Sequence, residues 1–352
     1  MNIGIPKECK ILEGRVALIP QSCGELVQQG HRVCIQSGAG VCSGYSDQAY
    51  TLLGVECLRD VETLYRESRL IVKVKEPTAL ECEYLRPDHV LFCYLHLAAL
   101  PTLQACLKAK QLTAIGFETV VDNGGLPLLA PMSHVAGCLA VQIGTHLLHA
   151  PQGGKGLLLG GLSGADRGRV VVLGAGVAGG NAARLAAQAG AQVSVFDQRI
   201  ERLDAMYALG ANVTALYPYA DALHDAVTQA DLLIGAVLVA GAKAPRLVSR
   251  TWVEQMSPGS VIVDIAVDQG GCIETTRATT YQDPTYVEYG VTHFGVTNMP
   301  GAVPKTSSQA LCAAIMPYVA RLAQEGWESD ARLLGAVNVR DGQLVHPALR
   351  EV

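Results

Sequence analysis

Two apolar, β-rich runs, LIVKV and HVLFCYL, each stop at a residue that can carry a proton, Lys75 and His96, 21 residues apart. That separation is one strand–helix unit. In open parallel sheets ligands bind beyond the carboxyl ends of the strands, where the loops diverge, so both side chains are expected on one rim. Arg15 lies in the loop after the first strand, in KECKILEGRVAL, and joins that rim if the strand runs the same way. A guanidinium, an ammonium and an imidazole together suit a small anion and proton transfer. The plain alternative is a set of solvated surface charges, the usual fate of any one such residue. Lys75 and His96, each placed directly after a buried run, weigh against it.

A second constellation lies downstream. VVVLGAGVAGGN carries Gly174, Gly176 and Gly179 in a GxGxxG pattern, which alone is a weak signal in a chain with 37 glycines. Here it follows an apolar strand, Val170 to Leu173, and opens a helix. The next strand, QVSVF, ends at Asp197, 21 residues after Gly176. The glycines permit a tight turn and close approach of a pyrophosphate to the helix N-terminus. An acid at that spacing hydrogen-bonds the adenosine ribose, and an aspartate repels a 2′-phosphate, favouring NAD over NADP. A purely structural glycine turn is the alternative. The strand DLLIGAV continues into an uncharged loop with Leu238 and Val239, suited to lie along the nicotinamide half. SVIVDIA leads into VDQGG, placing Asp268 at the carboxyl edge of this sheet, and Asn298 ends the last strand. For Asp268 a loop or capping role is the alternative.

The elements that position these residues alternate along the chain. NIGIP reads as a short alternating strand, PQSCGELVQQG as a helix with Pro20 near its start and Gly30 at its C-cap, and HRVCIQS as a strand. SDQAYTLLG is a helix capped by Ser46, and RLIVKV, HVLFCYL and LTAIGFE are strands preceded by VETLYRES, ALECEYLR and LPTLQACLKAKQ. Continuous apolar strands separated by helices predict a parallel sheet covered on both faces. A second series from Gly168 repeats the pattern. The last amphipathic helix, SSQALCAAIMPYVARLAQ, lies beyond that second sheet and is expected to return to the first domain.

Bulk properties agree. A chain of 352 residues, 49% hydrophobic and 17% charged, most simply forms two globular domains. A net charge of −5 with no long basic run invites neither nucleic acid nor an anionic membrane. The eleven cysteines show no CxxC pair, which suggests neither a zinc site nor a disulfide framework but small buried hydrophobes in a reducing cytosol. Residues 123–152 carry no Asp, Glu, Lys or Arg. Their prolines and polar groups predict a linker followed by a buried helix over about 135–148, not a membrane span.

As a set, GIPKE with GRVAL, VKVKEP, LHLA, LPLLAPMS, QGGKG, VVVLGAGVAGGNAA, DLLIGAVLVAGAKAP, VDIAVDQGGC and NMPGAVPKTSS closely resemble the alanine dehydrogenase family, which is related to the soluble domain of proton-translocating transhydrogenases. The resemblance covers nearly the whole chain. It implies an α/β fold of two Rossmann-like, doubly wound domains. The catalytic domain would be discontinuous, 1–128 with 305–352, around an inserted NAD domain, 129–304. It also implies a homo-oligomer, commonly a hexamer. Family roles fall on Arg15 and Lys75 for the substrate carboxylate and carbonyl oxygen, His96 as acid/base and Asp268 as the second catalytic group. Cofactor contacts fall on Ser133, Gly174, Gly176, Val177, Ala178, Gly179, Asp197, Arg202, Leu238, Val239, Ile265, Asp268, Val296, Asn298 and Met299. One departure is PMSHVAGC where the family reads PMSEVAGR, so that His134 and Cys138 replace an acid–base pair four residues apart on a helix. A lost structural ion pair is the plain reading, and an altered pocket or subunit contact the sharper one.

The activity implied is reversible NAD-linked oxidative deamination of L-alanine to pyruvate and ammonia, with domain closure excluding water. Two alternatives stay open. One is a dehydrogenase of another small amino or imino acid. The other is a non-catalytic, transhydrogenase-like NAD-binding module, against which the joint presence of Arg15, Lys75, His96 and Asp268 counts.

Overall fold

The computed structural model of the protein describes residues 1–237 and 244–349. Contacts divide the chain into two compact units, Met1–Met132 with Gly301–Val352, and Ser133–Pro300. In chain order the first unit supplies β1 (Asn2–Ile5), β2 (Arg32–Gln36), β3 (Glu56–Leu58), β4 (Leu70–Val72), β5 (Val90–Cys93) and β6 (Thr113–Gly116). The second supplies β7 (Arg169–Leu173), β8 (Gln192–Phe196), β9 (Val213–Leu216), β10 (Leu232–Gly235), β11 (Val261–Asp264), β12 (Thr285–Glu288) and β13 (Val291–Phe294). The chain then returns to the first with β14 (Val337–Arg340) and β15 (Gln343–Leu344).

The first sheet is ordered β15-β14-β6-β5-β4-β1-β2-β3 and the second β12-β13-β11-β10-β7-β8-β9. Six strands of each run parallel in the 3-2-1-4-5-6 order of a doubly wound fold, with the remaining strands antiparallel at one edge. In the first sheet successive side chains feed two cores. Ile3, Ile5, Leu70, Val72, Phe92 and Ile115 point to one, and Ile71, Leu91, Cys93 and Ala114 to the other. Two-sided burial explains why these strands read as unbroken apolar runs, each large side chain contributing about 1.5–3 kcal/mol. It also corrects the alternating reading of β1, where Ile3, Gly4 and Ile5 are all buried.

The helix Pro304–Leu322 puts Leu311, Cys312, Ile315, Val319 and Leu322 into the first of those cores, so the chain does return to the first unit. The helix expected over 135–148 begins earlier, at Ala130, and runs to Leu147. Pro131 falls in its first turn, where a missing N–H leaves no helical hydrogen bond unmade. Two hairpins escaped the sequence reading, Tyr289–Gly290 between β12 and β13 and Asp341–Gly342 between β14 and β15, with positive φ at all four turn residues. No helix among the described residues is long and apolar enough to cross a membrane.

Candidate active site

Strands β6, β5, β4 and β1 are neighbours and parallel, so their carboxyl ends share one edge of the first sheet. His96 follows β5 by three residues, Lys75 follows β4 by three, and Arg15 stands in the loop after β1. The structure thus brings these three sequence-predicted residues to adjacent strand ends. Tyr94 ties two of them together: its ring stacks on His96 at 5.8 Å and 10°, and its buried hydroxyl feels the Arg15 guanidinium.

Each of these loops is held by a carboxylate that the sequence reading did not single out. Glu13 takes Arg15 Nε at 2.7 Å and Nη2 at 2.5 Å and also accepts the Arg15 backbone N–H at 3.1 Å. Burial works against the charge on Arg15, but this pair overrides it and raises the pKa of the guanidinium. The fork expected for a substrate carboxylate is therefore taken on its Nε edge by Glu13. Glu8 accepts Val74 N at 2.6 Å and Lys75 N at 3.4 Å, and it pairs with the fully buried Lys73 at 3.1 Å. Lys73 is paired as well with Glu81 at 3.1 Å. Glu118, from the turn after β6, accepts His96 N at 2.6 Å and Leu95 N at 3.1 Å. His96 itself is left-handed, φ 48° and ψ 36°, a conformation that costs a non-glycine residue on the order of 1 kcal/mol or more.

The second unit carries the glycine turn at its strand-order reversal, between β7 and β10. Gly174 has φ 93°, and a Cβ there would lie 2.7 Å from the Ala236 carbonyl oxygen beyond β10. Gly179 packs so closely that a Cβ would collide with the Gly174 carbonyl oxygen. Gly176, by contrast, has open space on its Cβ side, the nearest atom being Arg202 Nη1 at 3.8 Å. It is the N-cap of the helix Val177–Gln188 and offers no side-chain cap to the first-turn N–H groups. One glycine for the turn, one for approach and one for packing, beside an uncapped helix start, fit a pyrophosphate. Asp197 follows β8. Its Oδ2 accepts Ala175 N at 2.8 Å and Arg202 Nη1 at 3.3 Å, and its Oδ1 accepts Arg199 N at 2.9 Å. A carboxylate has about four acceptor positions, so room remains for ribose hydroxyls. Val177 is an exposed apolar side chain at this helix start.

Asp268 sits exposed in the one-turn helix Ile265–Gln269 after β11. Asp264, fully buried at the strand end, staples that loop by accepting Ala266 N and Cys272 N, both at 3.0 Å. Burial raises its pKa in spite of those bonds. Val296 and Met299 are buried, Ile265 is half-buried, and Asn298 has a left-handed backbone, φ 64°. Leu238 and Val239 lie outside the described residues.

Residues 4–136 match the family model described as alanine dehydrogenase/PNT, N-terminal domain, and residues 140–347 match the C-terminal domain model. The alanine dehydrogenase of Halomonas elongata is 48% identical over 359 residues, spanning 100% of this chain and 96% of its own. The chain belongs to the alanine dehydrogenase/PNT family. A solved L-alanine dehydrogenase superposes with a TM-score of 0.96 at 48% identity, covering 100% of this chain and 98% of that one. The transhydrogenase of Sinorhizobium meliloti superposes with a TM-score of 0.85 at 27% identity, over 99% and 100% of the two chains.

Within this alanine dehydrogenase-like chain, Ser133, His134 and Cys138 lie on the helix Ala130–Leu147, with His134 exposed and Ser133 and Cys138 half-buried. Burial pushes the Cys138 thiol pKa up, which makes it a poor nucleophile. All eleven cysteines are free, and six are buried. Glu8, Glu13 and Glu118 escaped the sequence reading because a carboxylate that clips backbone N–H groups leaves no spacing motif. Their one legible trait was position, each just past a strand on the rim already named.

Proposed function

We propose that the protein catalyses NAD-dependent, reversible oxidative deamination of L-alanine to pyruvate and ammonia. The observation that carries this is the adjacency of Arg15, Lys75 and His96 at neighbouring parallel strand ends in a chain of the alanine dehydrogenase/PNT family. A guanidinium and an ammonium suit the carboxylate and developing oxyanion of a small 2-amino or 2-oxo acid, and an imidazole suits the proton. The glycine turn and Asp197 supply the dinucleotide half.

Bound NAD, held at Gly174, Gly176, Gly179 and Asp197, would accept the hydride that leaves alanine Cα. Arg15 holds the substrate carboxylate by its charge. Once the alanine ammonium has given up a proton, loss of hydride leaves an iminium. Water attacks it while His96 takes a proton of that water, and the resulting carbinolamine collapses to pyruvate as that proton returns to its nitrogen, which leaves as ammonium. Lys75 stabilises the oxyanion as it forms, and Asp268 orients the ammonium group or the water. Ser133, Val177, Ala178, Arg202, Ile265, Val296, Asn298 and Met299 complete the proposed cofactor contacts. Family membership further supports a homo-oligomer, a hexamer, working in the cytoplasm.

A screen of purified protein against small L-amino acids with NAD or NADP, followed by NADH absorbance, tests the assignment. Alanine with NAD is expected to give the highest kcat/KM. A different preferred amino acid would move the chain to another substrate within the same chemistry, and no turnover with any would leave only a binding module.

A further inference from the structure

We infer that Glu118 is a positioning residue for His96, holding its backbone in the left-handed conformation that aims the imidazole; the inference rests on the proposed acid–base role of His96. Two observations converge on it. His96 takes φ 48° three residues after the buried strand β5, where nothing in β5 itself favours that conformation. Glu118 Oε1 accepts both His96 N at 2.6 Å and Leu95 N at 3.1 Å, and Oε2 also accepts Leu95 N at 3.2 Å, so two consecutive N–H groups at the bend converge on one carboxylate. Charge-assisted bonds of that length are the strong class, and they are made only while the bend persists.

Glu118 is itself held on both flanks. Phe117 packs edge-on against Phe92 at 4.5 Å and Tyr94 at 5.0 Å. Thr119 Oγ1 donates to the Gly116 and Ala336 carbonyls at 3.0 Å and accepts Asn338 Nδ2 at 2.7 Å. Strand β14 therefore reaches His96 through Asn338, Thr119 and Glu118. Tyr94 fixes the plane of the ring from the other side by stacking, with its own hydroxyl donated to Leu128 O at 2.6 Å. Glu118 bonds the backbone of residue 96, and its action on the reaction is indirect.

Both N–H groups reach Oε1, so the amide oxygen of Glu118→Gln can keep those two bonds and loses only the longer Leu95 contact to Oε2, whereas Glu118→Ala loses all of them. Glu118→Ala is expected to lower kcat for alanine about 10–100-fold with KM changed little, the scale of a misplaced catalytic group. Glu118→Gln should stay within about threefold of the unmodified enzyme. In a His96→Ala background Glu118→Ala should cost no further kcat, because the group it aims is gone. Hydrogen–deuterium exchange supplies a readout independent of turnover: the Leu95 and His96 amides should be protected in the unmodified protein and in Glu118→Gln, and exposed in Glu118→Ala. Unchanged amide protection in Glu118→Ala would overturn the clamp whatever the activity. An equal kcat loss with and without His96, or a Glu118→Gln as impaired as Glu118→Ala, would overturn the positioning role. Absence of alanine turnover in the unmodified enzyme would count against the functional reading alone, with the exchange data still deciding the clamp.

Discussion

Glu13 and Arg15 form a buried two-point pair in which neither side chain is more than 2% exposed. Removing one partner of such a pair strands the other charge, at a cost of about 3–5 kcal/mol. Glu13→Ala should therefore lower the melting temperature and raise KM for alanine, and Glu13→Gln, which keeps one carbonyl acceptor, should fall between. An unchanged melting temperature together with an unchanged KM in Glu13→Ala would show that the pair neither stabilises the fold nor sets the guanidinium.

The rim residues should divide kinetically. Arg15 meets a carboxylate present in both ground and transition states, so Arg15→Ala should chiefly raise KM. His96 acts only along the reaction path, and His96→Ala should mainly lower kcat, on the order of 10²–10⁴-fold. Lys75→Ala should show both effects. Steady-state kinetics of the three variants checks the division, and a near-normal kcat in His96→Ala would reduce His96 to a residue that ends its strand.

Cofactor choice follows from Asp197. NAD should be preferred over NADP, and Asp197→Ser should narrow the gap by removing the charge that repels a 2′-phosphate. Equal kcat/KM for the two cofactors in the unmodified enzyme would contradict this.

Two buried histidines predict a loss of stability in mild acid. His89 accepts Arg86 N at 3.1 Å on Nδ1 and makes a second bond from Nε2 to Tyr65 O at 3.0 Å, while His293 bonds Thr275 Oγ1 at 2.8 Å and Val291 O at 3.0 Å. Neutral imidazoles satisfy these partners, and burial lowers both pKa values below the ordinary 6.5. With the folded value depressed, the unfolded chain binds more protons through this window, so stability is complete above the unfolded pKa and falls as pH drops through and below it. Melting temperatures from about pH 8 down to about pH 5.5 should decline, and His89→Gln with His293→Gln should flatten the decline. An equally steep decline in that double variant would assign the acid sensitivity elsewhere.

His134→Glu with Cys138→Arg restores the charge pair that the family pattern carries. With His134 exposed, the change should leave alanine kinetics within a few-fold and raise the melting temperature slightly, since exposed helix pairs contribute about 0.3–0.5 kcal/mol. A switch in amino-acid preference would show instead that this pair shapes the substrate pocket.

What could be read from the sequence was whatever has a period or a punctuation mark. Unbroken apolar runs ending on Lys75 and His96 gave β4, β5 and the rim, and Gly174, Gly176, Gly179 and Asp197 gave the nucleotide turn, because backbone geometry demands those residues at those spacings. The hairpin at Asp341–Gly342 was equally legible and was passed over. Lys73 was hidden for a different reason: inside an apolar run it looks like surface charge, and only Glu8 and Glu81, brought from distant segments, make its burial tolerable. Glu13 and Glu118 were hidden likewise, since their function is to accept hydrogen bonds from residues the fold places beside them.

The most direct test of the central claim is to supply L-alanine deuterated at Cα with NAD and to analyse the reduced cofactor by mass spectrometry. Hydride transfer from alanine to NAD predicts one deuterium in every reduced nicotinamide, with pyruvate and ammonia formed in equal amounts. Reduced cofactor without deuterium, or no reduction at all with alanine, would contradict it.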